Sequence, residues 1–338
     1  MGNIENIYRQ LLEPSPALIS DMQEIEGDII ILGVGGKMGP GIARLAKQAV
    51  ERAGIQKTIT GVSRFSEKGL QQELEADGIK TIAADLLDDE ALQALPETKN
   101  VLYLAGTKFG TGNNAPFTWA MNSYLPGRVA QKYKSARIVV FSTGNVYPMV
   151  PVTSGGATEH DAPEPLGEYA QSCLGRERLF QYYASLHHTP LLIYRLNYSN
   201  DLTYGVLIEI ARCVFAGKPV ELSMGNVNVI WQGDANEMAI RSLRHCSVPA
   251  KILNVTGPET VSVRWAAEEF GRLFGKPALF INEESSSALL SNASESFRLF
   301  GYPGTTLKQM MELMAEWILQ GGKLLNKETH FQERKGKY

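Results

Sequence analysis

Residues 28–50 read DIIILGVGGKMGPGIARLAKQAV. The apolar run Ile29 to Leu32 breaks into glycines at Gly33, Gly36 and Gly39. Apolar residues then recur at Ile42, Leu45, Ala46 and Ala49. A short apolar run, a glycine turn and then helical spacing read as strand, turn, helix. In GxxGxxG, one glycine permits the tight turn and another lets a pyrophosphate approach the backbone. The third lets the helix pack on the strand, and the phosphates meet the positive helix end. The turn, with Lys37 and Met38 inside it, is therefore read as a dinucleotide cradle. The competing reading is a glycine-rich turn in an α/β protein with an empty or different crevice.

The pattern continues outward as alternation. Strands are expected at 57–63, 80–84, 100–106, 137–143 and 190–196. Helices are expected at 67–76, from Phe117 to about Lys134, and from Glu168 to about Leu186. The strands are continuously apolar, which suits strands covered on both faces. The fold class expected is α/β, a Rossmann-like doubly wound parallel sheet with a smaller C-terminal substrate domain. Residues 1–26 read as a polar and aliphatic, partly helical leader and 27–196 as the dinucleotide-binding domain. A strand near 251–256 returns to the main sheet. Residues 197–325 read as mostly the smaller domain, and 326–338 as a basic, solvated tail.

After the second strand the chain reads Gly61-Val62-Ser63-Arg64. An acid there would bond a ribose 2′-hydroxyl, whereas a hydroxyl followed by a guanidinium suits a 2′-phosphate. The expected cofactor is NAD(P), with NADP favoured. Asp85, followed by Leu86, closes the third strand and is placed to accept from the adenine amino group. The plainer reading of Asp85 is a turn residue, and of Arg64 a solvated side chain.

The formal net charge of −3 steers the chain toward neither nucleic acid nor anionic lipid. No uncharged apolar window is long enough to span a membrane, and no signal peptide is read at the N-terminus. Cys173, Cys213 and Cys246 are scattered and form no CxxC or Cys/His cluster. That argues for a reducing, cytoplasmic setting and against a metal site. His187 and His188 read as surface residues near a helix end.

The glycine turn, Asp85, Leu104-Ala105-Gly106, Asn122, Ser142-Thr143, Val146-Tyr147, Tyr169 and Leu253-Asn254-Val255 add up. From about residue 28 to 320 the chain resembles the extended short-chain dehydrogenase/reductases, and more narrowly the NAD-dependent epimerase/dehydratase family. The resemblance implies that Leu104, Ala105 and Gly106 pass under the cofactor, and that Lys108 contacts it. Asn122 would lie near the nicotinamide ribose. Thr143 would polarise the substrate oxygen, Tyr169 would be the catalytic acid/base as well as a cofactor contact, and Asn145 and Asn197 would face substrate. It also implies a homodimer built on the two long helices.

Two departures matter. The family has a lysine four residues after the tyrosine, on the same helix face, and here Cys173 stands there. Lys108 and Arg176 are the candidate substitutes. Lys108 is preferred, because Arg176 lies seven residues along the helix, about 10 Å up its axis. An arginine that holds the diphosphate in many nucleotide-sugar enzymes is replaced by Asn226-Val227-Asn228. The leading expectation is an NAD(P)-dependent oxidoreductase or epimerase acting on a carbinol or carbonyl carbon of a sugar-like substrate. The alternative is a catalytically weak or inactive NAD(P)-binding sensor or scaffold.

Overall fold

A computed structural model describes residues 2–108, 114–325 and 329–337. The apolar runs form seven parallel strands: β1 (Ile29–Leu32), β2 (Ile59–Ser63), β3 (Lys80–Ala83), β4 (Asn100–Tyr103), β5 (Arg137–Thr143), β6 (Leu191–Leu196) and β7 (Lys251–Val255). Their spatial order is β7-β6-β5-β4-β1-β2-β3. The order reverses at β1, where Ile29 pairs with Ile59 on one side and Asn100 on the other. In such a sheet the crevice for ligand opens beyond the carboxyl ends of the strands at that reversal. The glycine turn sits there.

The N-terminal residues read as a leader fold into two helices, α1 (Gly2–Gln10) and α2 (Pro16–Glu24). Ile4 of α1 is buried in the core built by residues 202–318, while Leu18 and Met22 of α2 are buried on one face of the sheet. Ser15 caps α2 by accepting from the Leu18 N–H and donates to Glu237. This segment therefore ties the two apolar cores together. The residues read as a solvated tail are also packed where they are described: Phe331 is only 4% exposed.

The same sheet face packs against α3 (Gly39–Arg52) through Ile31, Val34, Ile42 and Ala46. The other face packs against α4 (Leu125–Lys132) and α5 (Gly167–His187) through Val101, Val129, Ile138 and Phe180. The helix expected from Phe117 begins at Ala115 and widens into a π turn over Ala120–Tyr124. Pro126 explains the widening. It has no N–H, and its ring would collide with the carbonyl four residues back in a regular helix.

An ion pair holds the carboxyl ends of β5, β6 and β7 to α5. Arg195 of β6 donates through Nε and Nη2 to the two carboxylate oxygens of Glu177, at 2.9 and 2.6 Å. Both side chains are essentially inaccessible. Ser142 of β5 donates to the same carboxylate, and Arg195 Nη1 donates to the Tyr147 hydroxyl. That hydroxyl donates in turn to Asn254 of β7. Removing one partner from such a pair leaves an uncompensated buried charge. Arg195→Met is expected to cost about 3–5 kcal/mol, seen as a lower urea midpoint with an unchanged slope. A loss below about 1 kcal/mol, the scale of an exposed pair, would contradict this role.

Candidate functional site

The glycine turn meets its three requirements in different ways. Gly33 has φ +90°, and a Cβ there would lie 2.7 Å from the Ala105 amide nitrogen. Gly39 packs against the Val34 backbone with no room for a side chain, which brings α3 onto β1. A Cβ at Gly36 would meet the Gly33 carbonyl oxygen at 3.3 Å, and Gly36 itself borders the cleft described next. The first turn of α3 carries no side-chain cap on its amides, so its N–H groups and positive end point toward the crevice.

One cleft of about 300 Å³ joins much of the expected site. Its walls include Gly33, Gly36, Lys37, Met38, Gly39, Leu104 and Lys108, together with Thr143, Asn145, Tyr169 and Asn197. Tyr169 lies in the first turn of α5 and Thr143 at the end of β5, so helix and strand converge on the same space. Thr143 Oγ1 donates to Asn145 Oδ1 at 2.9 Å, and the tyrosine hydroxyl is hydrogen-bonded to Thr143 and Cys173. Asn197 is buried. Its N–H donates to the Val255 carbonyl and its Nδ2 to the Leu289 carbonyl. The cleft also has walls that the sequence did not single out, among them Tyr198, Ser199, Tyr204 and Thr329.

The remaining expected residues lie outside this cleft. Ser63 and Arg64 end β2 and Asp85 follows β3; the Arg64 guanidinium is 3.9 Å from the Asp85 carboxylate, and both are largely exposed. Asp85 also accepts from the Leu87 N–H, a turn bond. Leu86 and Ala105 are buried in the core beneath. Asn122 has no exposed surface. Its amide accepts from the Thr107 N–H, donates to the Thr107 carbonyl and donates to Ser172. It fixes the loop that carries Lys108 against α5.

Three cations surround the tyrosine or its neighbours. Arg176 is buried beside it, its Nη1 donating to the Phe141 carbonyl at 2.7 Å and Nη2 to Asn122 Oδ1 at 2.8 Å. Gly106 makes room for this guanidinium, since any side chain there would collide with it. Lys108 Nζ lies 5.7 Å from the Tyr169 ring centre. Burial pushes its ammonium down to about 8, against the pull of Cys173 and Glu209. Lys37 Nζ sits 3.4 Å over the Tyr204 ring. Its ammonium is also pushed down, first by the enclosing walls and then by Lys108, although the side chain faces the open cleft.

Burial holds the Tyr169 phenol well above its ordinary value, and the Cys173 thiol adds to this. The Arg176 charge and the bond with Thr143 oppose them. Cys173 has no accessible surface, packs with Val146, Tyr147 and Ala157, and is held protonated mainly by burial. A thiolate nucleophile is not supported by that environment. Among the described residues no cluster of three His, Cys, Asp or Glu side chains could hold a metal, and no helix is long and apolar enough to cross a membrane.

The Glu177–Arg195 pair escaped the sequence reading, although it left a signal. An arginine inside LLIYRL, on a strand covered on both faces, demands a buried acid.

Comparisons with known proteins agree on the scaffold. The sequence profile of the NAD dependent epimerase/dehydratase family matches residues 29–226. No curated protein matches the chain in sequence. Among solved structures, a UDP-glucuronic acid 4-epimerase from Bacillus cereus in complex with NAD superposes with a TM-score of 0.73 at 20% identity. That match covers 88% of this chain and 100% of the other. An epimerase from Methanothermobacter thermautotrophicus gives 0.72 at 16% identity, covering 90% and 96%. The UDP-glucose 4-epimerase of Thermus thermophilus in complex with NAD gives 0.68 at 17% identity, covering 86% and 98%.

Proposed function

Because the chain belongs to the NAD dependent epimerase/dehydratase family, we propose that it is a nicotinamide-dependent enzyme that oxidises, reduces or epimerises a carbinol or carbonyl carbon of a sugar-like substrate. One observation carries the reading: the glycine turn, Thr143 and Tyr169 open onto a single cleft. The solved neighbours that hold NAD, some with a UDP-sugar as well, support the cofactor class and a sugar-like substrate.

The residues present fit such a cofactor. Gly33, Gly36, Lys37, Met38 and Gly39 would hold the pyrophosphate on the uncapped start of α3. Ser63, Arg64, Asp85 and Leu86 belong to the adenosine end, and Leu104, Ala105, Gly106 and Lys108 to the loop beneath the nicotinamide riboside. Asn122 serves that loop by fixing it. When bound, the nicotinamide ring supplies the hydride acceptor or donor. Tyr169 Oη takes or returns the proton of the reacting hydroxyl, Thr143 Oγ1 holds that oxygen, and Asn145 and Asn197 bind neighbouring substrate groups.

Phenolate formation needs a nearby positive charge. Arg176 is the better replacement for the family's lysine. It stays charged at any working pH, and it acts directly on Tyr169. Lys108, pushed down to about 8, loses its charge as the pH rises. The second reading, a catalytically silent cofactor-binding sensor, draws on the bond between Tyr169 and Cys173. It predicts no turnover in any variant.

If Tyr169 is the acid/base, activity climbs with pH as phenolate accumulates. The Arg176 charge favours the phenolate and lowers the Tyr169 pKa, so Arg176→Met moves the climb to higher pH. The cost is roughly tenfold in rate for each unit of displacement, and Arg176→Lys rescues activity only at the lower pH where a buried ammonium keeps its charge. Tyr169→Phe loses turnover while keeping the cofactor. A pH–rate profile that is flat from neutral to alkaline pH, with Tyr169→Phe still active, would remove Tyr169 from the role.

Arg64 is largely exposed and only loosely held by Asp85, so it can grip a 2′-phosphate, and NADP is expected to bind at least as well as NAD. Calorimetric titration with both tests this. A clear NAD preference that Arg64→Ala leaves unchanged would overturn it.

A homodimer is the third expectation. Phe117, Trp119 and Tyr124 on one helical stretch, and Tyr182 and Leu186 on α5, are exposed apolar side chains on the two paired helices. Light scattering should give twice the chain mass of 37.2 kDa at micromolar concentration; a monomer would refute the pairing.

A further inference from the structure

The chain's own residues 329–337 run beside the cleft and reach it at Thr329. Thr329 lines it, and the Thr329 N–H donates to Glu209 Oε2 at 2.8 Å. Two residues on, Phe331 is buried in the core of residues 202–318, and its carbonyl accepts from the hydroxyl of Tyr198, itself a cleft wall. Arg334 then donates to the carbonyls of Ser287 and Ser223 and to the Ser287 hydroxyl, at 2.8, 3.2 and 2.8 Å. Finally, Gly336 lies backbone to backbone against Leu166 and Gly167, with no room for a side chain on either glycine. Gly167 begins α5, two residues before Tyr169. The segment is thus fastened both to the core of residues 202–318 and to the helix that carries the proposed acid/base.

Its position limits what the cleft can hold. Asn145 borders the cleft and also a second cavity of about 180 Å³, whose far wall is Glu333, Arg334 and Gly336. The segment therefore forms part of the wall of the cavity that adjoins the cleft at Asn145. The cleft's volume of about 300 Å³ is at the small end for ligand pockets. Under the proposed function it must admit the nicotinamide end of the cofactor as well as the substrate. The guanidinium on the strap is spent on its three backbone and hydroxyl acceptors, so it is not presented to a diphosphate.

We propose that residues 329–337 are a specificity strap, and that the substrate is a compact sugar or polyol carrying no nucleotide. This rests on the proposed function, and it names the substrate class for the same site. Solved neighbours in complex with UDP-sugars hold a nucleoside diphosphate beyond the sugar; here the chain's own segment borders the cleft at Thr329 and walls the adjoining cavity.

Calorimetric titration of the full chain with UDP and with UDP-glucose tests the proposal. The full chain should show no saturation up to about millimolar ligand. A chain ending at Glu328, and the point variant Arg334→Ala that keeps the Phe331 anchor, should bind UDP roughly tenfold tighter or better. If the shortened chain fails to fold by circular dichroism, Arg334→Ala decides alone. Micromolar binding of UDP-glucose by the full chain overturns the proposal. So does Arg334→Ala, or a folded shortened chain, that leaves UDP affinity where it was. A parallel titration with NAD and NADP separates the two ideas. Failure to bind either nicotinamide removes the proposed function, while the UDP comparison still reads the strap.

Discussion

The arrangement depends on a charge that cannot be left alone. Arg195 lies on β6 with strands on both sides and apolar layers above and below, where an unpaired guanidinium would be prohibitively costly. Glu177 answers it with two parallel bonds. Satisfying the remaining donors and lone pairs then recruits Ser142, Tyr147 and Asn254. Each belongs to a different element, so the network fixes α5 against β5, β6 and β7. Thr143 is next to Ser142 and Tyr169 is two turns before Glu177 on the same helix. The distance between the two proposed catalytic side chains is therefore a by-product of neutralising a buried arginine. A network satisfied at every member rigidifies its surroundings, and here that rigidity lies directly behind the reacting groups.

What the sequence displayed of this was the scaffold rather than the supports. The strands were legible because each is a short apolar run punctuated by glycine, proline or charge. The glycine turn was legible because the run of β1 breaks into Gly33, Gly36 and Gly39, and at Gly33 and Gly39 the backbone leaves no room for a side chain. Thr143, Asn145 and Tyr169 came from the resemblance, and the fold brings them to one cleft. The packing of the terminal segments was not legible. Residues 1–26 mix polar and aliphatic side chains, and Phe331 sits among charges in FQERKGKY. Their partners, Trp231, Asp201, Glu237, Ser287 and Tyr198, lie scores to hundreds of residues away, and local composition carries no record of such contacts.

Those two segments also add to the site rather than merely decorating it. The Tyr8 hydroxyl of α1 donates to Asp201 at 3.0 Å, and its ring meets Trp231 edge-on. Asp201 in turn pulls on the ammonium of Lys37 across the cleft floor. A helix before the first strand thus bears on a residue inside the glycine turn, while Thr329, after the last helix, lines the same cleft. The family profile spans residues 29–226, so both lie outside the part of the chain that it describes. Both nevertheless pack beside the cleft that the matched residues line.

The exchange of lysine for cysteine at position 173 shows how spacing along a helix can mislead. Counted by rise, Arg176 is about 10 Å from Tyr169 along the axis, which made it look remote. Helical side chains, however, lean back toward the N-terminus, over the preceding turn. Arginine is long enough to recover most of that distance, and Arg176 does so, reaching Phe141 and Asn122 at the sheet edge. Two local conditions permit the reach. Gly106 leaves space for the guanidinium, and Cys173 is small and carries no charge to repel it. A lysine at 173 would bring a further cation into the region that Arg176 and Lys108 already share, where each raises the cost of the others. The small neutral residue at 173 avoids that added repulsion beside the buried arginine at 176. Under the proposed function they form one solution to the ionisation of Tyr169, with the charge held one turn further along the helix.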